Sequence, residues 1–165
     1  MADTAEPLKT PTDIKSNAAK SVAEALNGIL ADSFALYLKT KNFHWHVSGP
    51  HFRDYHLMLD DQATQILDTT DAIAERVRKT GNTTLRSIGD IARHQTIKDN
   101  DETFVPAAQM LIELREDNLR LVESLREAKD IVDEAKDNAT SGILDDWTDL
   151  AEERAWFLFE ASRNV

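Results

Sequence analysis

Residues 44–76 read HWHVSGPHFRDYHLMLDDQATQILDTTDAIAER. The Gly49-Pro50 pair breaks this stretch, ending one helix and starting the next. Beyond the break, His56 and Asp60 are four residues apart, as are Asp71 and Glu75, so each pair lies on one helix face. Asp60 and Asp71 are close to three turns apart at about 3.6 residues per turn, which puts both pairs on the same face. At about 1.5 Å of rise per residue they are also roughly 16 Å apart along the axis. One metal ion, with ligands at about 2 Å, cannot bridge that gap within a single chain.

A second copy of the helix, antiparallel across a two-fold axis, removes the difficulty. The position numbers of His56 and Glu75 have the same midpoint as those of Asp60 and Asp71. An axis between Gln65 and Ile66 therefore sets His56 level with the mate's Glu75, and Asp60 level with the mate's Asp71, as isologous pairing requires. Two mixed sites result, each with imidazole and hard carboxylate ligands that suit Fe, Mn or Zn. The alternative is a solvated charged face with accidental pairs. The matching midpoints, the histidine and the apolar residues along the helix (Leu57, Leu59, Ile66 and Leu67) favour the shared site.

Working outward, the 165 residues make one domain, with 41% apolar and 30% charged residues and few Gly or Pro to interrupt helices. No apolar run approaches a membrane span and no signal-peptide core is visible, so a cytoplasmic protein without membrane contact is expected. The absence of cysteine excludes disulfides and thiolate zinc sites. A net charge of −11 disfavours contact with nucleic acid phosphates and favours cations.

Residues 1–11 read as a mobile tail, followed by a helical domain over 12–165. A first helix is expected from Thr12 or Asp13 to about His46, with Val22, Leu26, Leu30, Phe34 and Leu38 as its apolar stripe. The second should span about Pro50 to Thr80, closed by Gly81. A connection begins at Asn82 to Thr84, and a third long helix is capped by Asp101 or Thr103 with Pro106 near its start. On it Glu113, Glu116 and Asp117 are expected to be solvated or to face a cavity. Asn138 to Gly142 makes a turn that starts the last helix, whose Trp147, Leu150, Trp156, Phe157 and Phe159 serve packing, as Trp45 does. Arg76 is expected to pair with a carboxylate of the first helix or of a neighbouring subunit. His46 and His51 are expected to be surface or hydrogen-bonded residues, and His94 is assigned no function.

H-W-x-V-x-G-P-x-F from His44, H-x-x-x-D from His56 and D-x-x-A-E-R from Asp71 together resemble the signature of Dps proteins, the DNA-binding proteins from starved cells or mini-ferritins. The likeness extends from about Ser16 to the C-terminus. It implies an all-α, ferritin-like four-helix bundle with a short extra helix, matched here by Thr84 to Ile88, between the second and third long helices. It also implies a ferroxidase centre between two-fold-related subunits, with His44, His56 and Asp60 from one and Asp71 and Glu75 from the other. Fe2+ would be oxidised there, preferably by hydrogen peroxide rather than oxygen, and Fe3+ stored in a twelve-subunit shell. Removing Fe2+ and peroxide together would protect DNA from hydroxyl radicals.

The resemblance further implies acidic pores at three-fold axes, where Asp133 and Asp137 would draw in Fe2+. The usual T-x-D would place Asp at Gly142. The basic tail that grips DNA in many Dps proteins is replaced here by Lys9, Lys15 and Lys20 balanced by Asp3, Glu6 and Asp13, so direct DNA binding or nucleoid association would be weak. Two other readings stay open: a non-enzymatic nucleoid protein, and a Zn or Mn storage protein of the same fold. An ordinary ferritin would carry E-x-x-H motifs inside one bundle, and the chain has none.

Overall fold

The long helix α1 runs from Ser16 to His46 and not from residue 12 or 13. In this computed structural model, which describes residues 4–164, the Thr12 hydroxyl accepts the Ile14 N–H at 3.2 Å. This local turn competes with the helix, and Lys15 is still extended. Before it, Glu6–Leu8 form a single 3-10 turn. Helix α2 covers Phe52–Lys79, and Gly81, at φ +90°, closes it in a conformation that L side chains rarely adopt.

The short helix α3 lies at Ile88–His94, later than the Thr84 to Ile88 expected from sequence. Its start is close to a capping box: the N-cap Ser87 Oγ accepts the Asp90 N–H at 3.0 Å, and the Asp90 carboxylate reaches back one residue further, accepting the Arg86 N–H at 3.0 Å. Thr84 is engaged elsewhere, donating its hydroxyl to Asn27 Oδ1 on α1 at 2.8 Å. Helix α4, Ala107–Glu134, begins after Pro106, so neither Asp101 nor Thr103 caps it. A residue preceding proline is steered away from helical geometry, and Val105 is buried there instead. Helix α5, Asn138–Ala161, contains the expected 138–142 turn as its first residues and is capped by Asp137.

The two hairpins α1/α2 and α4/α5 pack extensively, and α1 lies against α4. The crossover between α2 and α4 climbs along α1. Asn82 donates to Ala19 O, Asn27 to Thr83 O, and the Asp32 carboxylate accepts the N–H groups of Thr96 and Ile97. Higher up, Asn42 donates to Asn100 O. Thus α4 descends beside the ascending α1, and α5 ascends: the order is up, down, down, up, with one long crossover. This is a ferritin-like bundle. The core is continuous, with Leu26, Leu30 and Phe43 from α1, Leu59, Ile66 and Ile73 from α2, Leu111 and Leu125 from α4, and Leu144 and Leu158 from α5. Burying each such side chain contributes about 1.5–3 kcal/mol. No described helix is long and apolar enough to cross a membrane.

Several sequence expectations are corrected by burial. Leu38 leaves the apolar stripe and is 58% exposed, as is Trp45, while Trp156, Phe157 and Phe159 are also exposed on the single chain. Asp117 is not solvated: with Glu113 it receives the buried Lys39 ammonium, each contact at 2.7 Å. Burial pushes the Asp117 carboxyl above its ordinary range, outweighing the attraction of Lys39.

Candidate metal centre

The last turn of α1 and the first turns of α2 meet at one corner of the bundle. The turn at 47–51 is short enough to hold them together, with Gly49 at φ +124°. There His44 and His56 are bound to each other's backbone. His44 Nδ1–H donates to the His56 carbonyl at 2.7 Å, and His56 Nδ1–H donates to the His44 carbonyl at 2.8 Å. The second bond also satisfies one of the carbonyls left over at the C-terminus of α1. The rings stack at 3.8 Å between centroids, and Phe52 stacks on His56 from the other side at 5.1 Å.

Because a carbonyl only accepts, both Nδ1 atoms carry the proton, which assigns the lone pair to Nε2 in each neutral ring. Metal-binding histidines are oriented in this way, by a hydrogen bond from the ring nitrogen that does not bind. His44 Nε2 lies 3.9 Å from Asp60 Oδ1, so one carboxylate already faces the pair.

Asp60 is engaged by a residue that sequence reasoning missed. Lys41 Nζ donates to Asp60 Oδ1 at 2.7 Å, and this bond holds the carboxyl below the ordinary aspartate range, against the raising effect of partial burial. An ammonium here already neutralises Asp60, so a metal ion taking the same carboxylate competes with it. Only the register between α1 and α2 reveals this pairing.

Asp71 and Glu75 occupy the distant half of α2 and are exposed. Glu75 touches Lys79 at 3.1 Å, both at the surface. The fold thus brings His44, His56 and Asp60 together and leaves Asp71 and Glu75 apart from them. Among the described residues of one chain, no three His, Asp or Glu side chains are arranged to hold a metal ion. The donors at the first corner are nonetheless of the right chemistry: two oriented imidazole lone pairs and one ionised carboxylate.

The two acidic residues expected at a pore differ. Asp133 is exposed and accepts from the Ser141 hydroxyl at 2.7 Å. Asp137 is buried, caps α5 by accepting the Thr140 N–H at 3.1 Å, and receives Arg76 Nη2 at 2.6 Å. Arg76 therefore pairs with α5's cap and not with α1. His46 bonds back to Asn42 O within its own helix at 2.7 Å, and His94 likewise to Asp90 O at 2.8 Å, while His51 lies beside the Tyr55 ring.

The bundle interior holds another residue that sequence reasoning passed over. Arg154 is 4% exposed, donates to Asn118 Oδ1 at 2.7 Å and Gln65 Oε1 at 2.6 Å, and burial lowers its pKa to about 10. A guanidinium at the centre of the bundle is the opposite of what a metal site inside one bundle requires.

Residues 23–164 match the family model described as a ferritin-like domain. The chain is similar to the DNA protection during starvation protein of Agrobacterium fabrum, 34% identical over 91% of this chain and 93% of that protein. It is similar to the protein of the same name from Brevibacillus brevis, 33% identical over 88% of this chain and 97% of that one. The crystal structure of a Dps protein from Bacillus brevis superposes with a TM-score of 0.86, at 31% identity over 91% of this chain and 100% of that chain.

Proposed function

The chain belongs to the Dps family of ferritin-like proteins, and from that premise we propose that it is a ferroxidase and iron-storing mini-ferritin whose metal sites are each built by two subunits. The observation that carries the proposal is the reciprocal clasp of His44 and His56, which orients two Nε2 lone pairs beside Asp60. A closed structural zinc site would need further ligands from the same chain, and the family's two-fold pairing supplies them from another: Asp71 and Glu75 of the mate.

In this reading Fe2+ is the substrate. His44, His56 and Asp60 bind it from one side and the mate's Asp71 and Glu75 from the other, and few protein ligands leave coordination positions for the oxidant. Two Fe2+ ions each give one electron to hydrogen peroxide, which takes up two protons, breaks its O–O bond and leaves as two water molecules. Oxygen serves as the slower oxidant. The Fe3+ produced is a harder acid than Fe2+, prefers oxygen ligands and hydrolyses, so it collects as hydrous oxide inside a dodecameric shell. Zn2+ and Mn2+ fit the same donors and act as competitors.

Exposed apolar side chains flank the half-site: Leu38 and Trp45 on α1, and Phe52, Leu57 and Leu67 on α2. A second copy of the chain is the natural cover for them. Exposed Asp133 stands at the turn that the family places at its pores, and its role there is to attract Fe2+. Protection of DNA follows from removing Fe2+ and peroxide. The net charge of −11 opposes direct contact with phosphates.

Fe2+ oxidation with and without peroxide, comparing the wild type with His56→Ala/Asp60→Ala, tests the proposal. The wild type should oxidise iron well above the buffer rate, faster with peroxide, and the variant should not. Equal rates in both proteins would end the ferroxidase reading. A shift of duplex DNA by the wild type at moderate salt would favour the nucleoid reading instead.

A further inference from the structure

The four long helices are not packed evenly. Helix α2 meets α5 far more sparsely than it meets α1, and the polar contacts across this seam fall at three heights. At one end the Tyr55 hydroxyl donates to Ala161 O at 3.1 Å. In the middle Gln62 Nε2 donates to Arg154 O at 3.3 Å and Arg154 to Gln65 Oε1 at 2.6 Å. At the other end Arg76 uses both sides of its fork, Nε to the Thr140 hydroxyl and Nη2 to Asp137 Oδ1, each at 2.6 Å.

The third contact has a particular chemistry. Asp137 is 4% exposed, and its carboxylate both caps the first turn of α5 and neutralises Arg76. One buried anion thereby fixes the start of α5 and the last turns of α2. Glu75 adjoins Arg76 in sequence, and its own contact is with a surface lysine. The positions of Asp71 and Glu75 are accordingly set by the helix that bears them, and that part of the helix is fixed to α5 through Arg76.

We infer that Arg76 is a positioning residue, which through Asp137 and Thr140 sets the height and roll of the half of α2 that presents Asp71 and Glu75 to a neighbouring subunit. The inference rests on these two carboxylates being metal ligands, as proposed above. It also gives Asp137 a purpose other than lining a pore. Ligating groups tolerate displacements of only about 0.5 Å before affinity falls, so a helix end that rests on α1 and is tied to α5 by one charged fork is a sensitive point. Arginine is suited to this because its two nitrogens fix direction as well as charge, which a lysine cannot do.

The test uses the assembled protein, comparing wild type, Asp137→Asn and Arg76→Lys. Shell assembly is checked by sedimentation, Zn2+ affinity by calorimetry, and peroxide-driven Fe2+ oxidation over a range of Fe2+ concentrations. Asp137→Asn should still assemble, with Zn2+ affinity and apparent KM for Fe2+ each worsened about 10-fold and kcat changed little, and Arg76→Lys should fall between it and the wild type. Affinity and KM equal to wild type in assembled variants, even with a lowered Tm, would reduce the fork to a structural contact and overturn the inference. Loss of the shell in both variants would overturn it too. A wild type that neither binds Zn2+ nor oxidises Fe2+ would instead remove the site reading beneath it.

Discussion

The two ends of α2 are built differently. Near its start, His56 is bound to the α1 backbone, stacked between His44 and Phe52, and followed one turn later by Asp60 in contact with Lys41. Near its end, Asp71 and Glu75 stand in solvent, and the fixing contact is Arg76, reaching the opposite way into α5. Rigid donors at one end and solvent-facing carboxylates at the other are what a helix needs if it is to complete its neighbour's site while its neighbour completes its own. In the proposed site, preorganisation falls where several ligands come from one chain, and accessibility where ligands have to cross an interface.

The largest effect that would break this comparison comes from the exposed end. Asp71→Ala/Glu75→Ala removes surface carboxylates, so stability should stay within about 0.5 kcal/mol of the wild type. Iron oxidation should nevertheless fall to the buffer rate, as measured by absorbance of Fe3+ after peroxide addition. Retained oxidation would mean that the rigid end works alone.

Lys41→Met sharpens the account of the rigid end. Removing the ammonium frees Asp60 from a competing cation, and metal affinity near neutral pH should rise by less than about 10-fold. Asp60 is held below its ordinary pKa by Lys41, so its ionised form is maintained as pH falls below the unfolded value and is lost only near the depressed folded one. Without Lys41 the folded pKa returns toward 3.8, so the carboxyl itself should protonate at higher pH than in the wild type. A Co2+ titration near neutral pH checks the affinity, and an NMR pH titration of the Asp60 carboxyl carbon checks the sign of the shift.

At the turn behind the exposed end, Lys136 adopts φ 57° where glycine is the usual residue after a helix. Its neighbours close the turn through Asp137 N–H to Val132 O at 3.1 Å. Lys136→Gly should stabilise by about 1 kcal/mol, seen as a Tm increase of about 2–4 °C, with metal affinity unchanged. Smallest of all, Gly142→Asp restores the acidic residue of the T-x-D pattern. A Cβ at Gly142 meets nothing within 4 Å, so the fold should accept it, and iron uptake at low Fe2+ should quicken by no more than about 3-fold, in line with a screened surface charge.

Much of this arrangement is legible in the sequence because it depends on spacing along single helices. The i, i+4 pairs, the break at Gly49-Pro50 and the shared face of α2 all follow from helical periodicity. The start of α3 was also written in the chain, in the Ser87-x-x-Asp90 spacing, but the expectation at Thr84 to Ile88 followed the likeness to the family's short middle helix. What could not be read are contacts that exist only once helices are in register. Lys41 with Asp60, Lys39 with Glu113 and Asp117, and Arg76 with Asp137 each join residues 19 to 78 positions apart. Nor does the apolar character of Trp45, Trp156 or Phe157 say whether its own chain or another covers it. Arg154 was passed over for a similar reason, since an arginine is ordinarily assigned to the surface.

The sharing of sites between chains can be measured directly by mixing two inactive proteins. His56→Ala/Asp60→Ala keeps the exposed carboxylates, and Asp71→Ala/Glu75→Ala keeps the rigid donors. Unfolded together in equal amounts and reassembled, they should form mixed pairs in which one of the two sites has every ligand. Oxidation should then return to about one quarter of the wild-type rate for random two-fold pairing. Mixed shells as inactive as either parent would contradict a site built by two subunits.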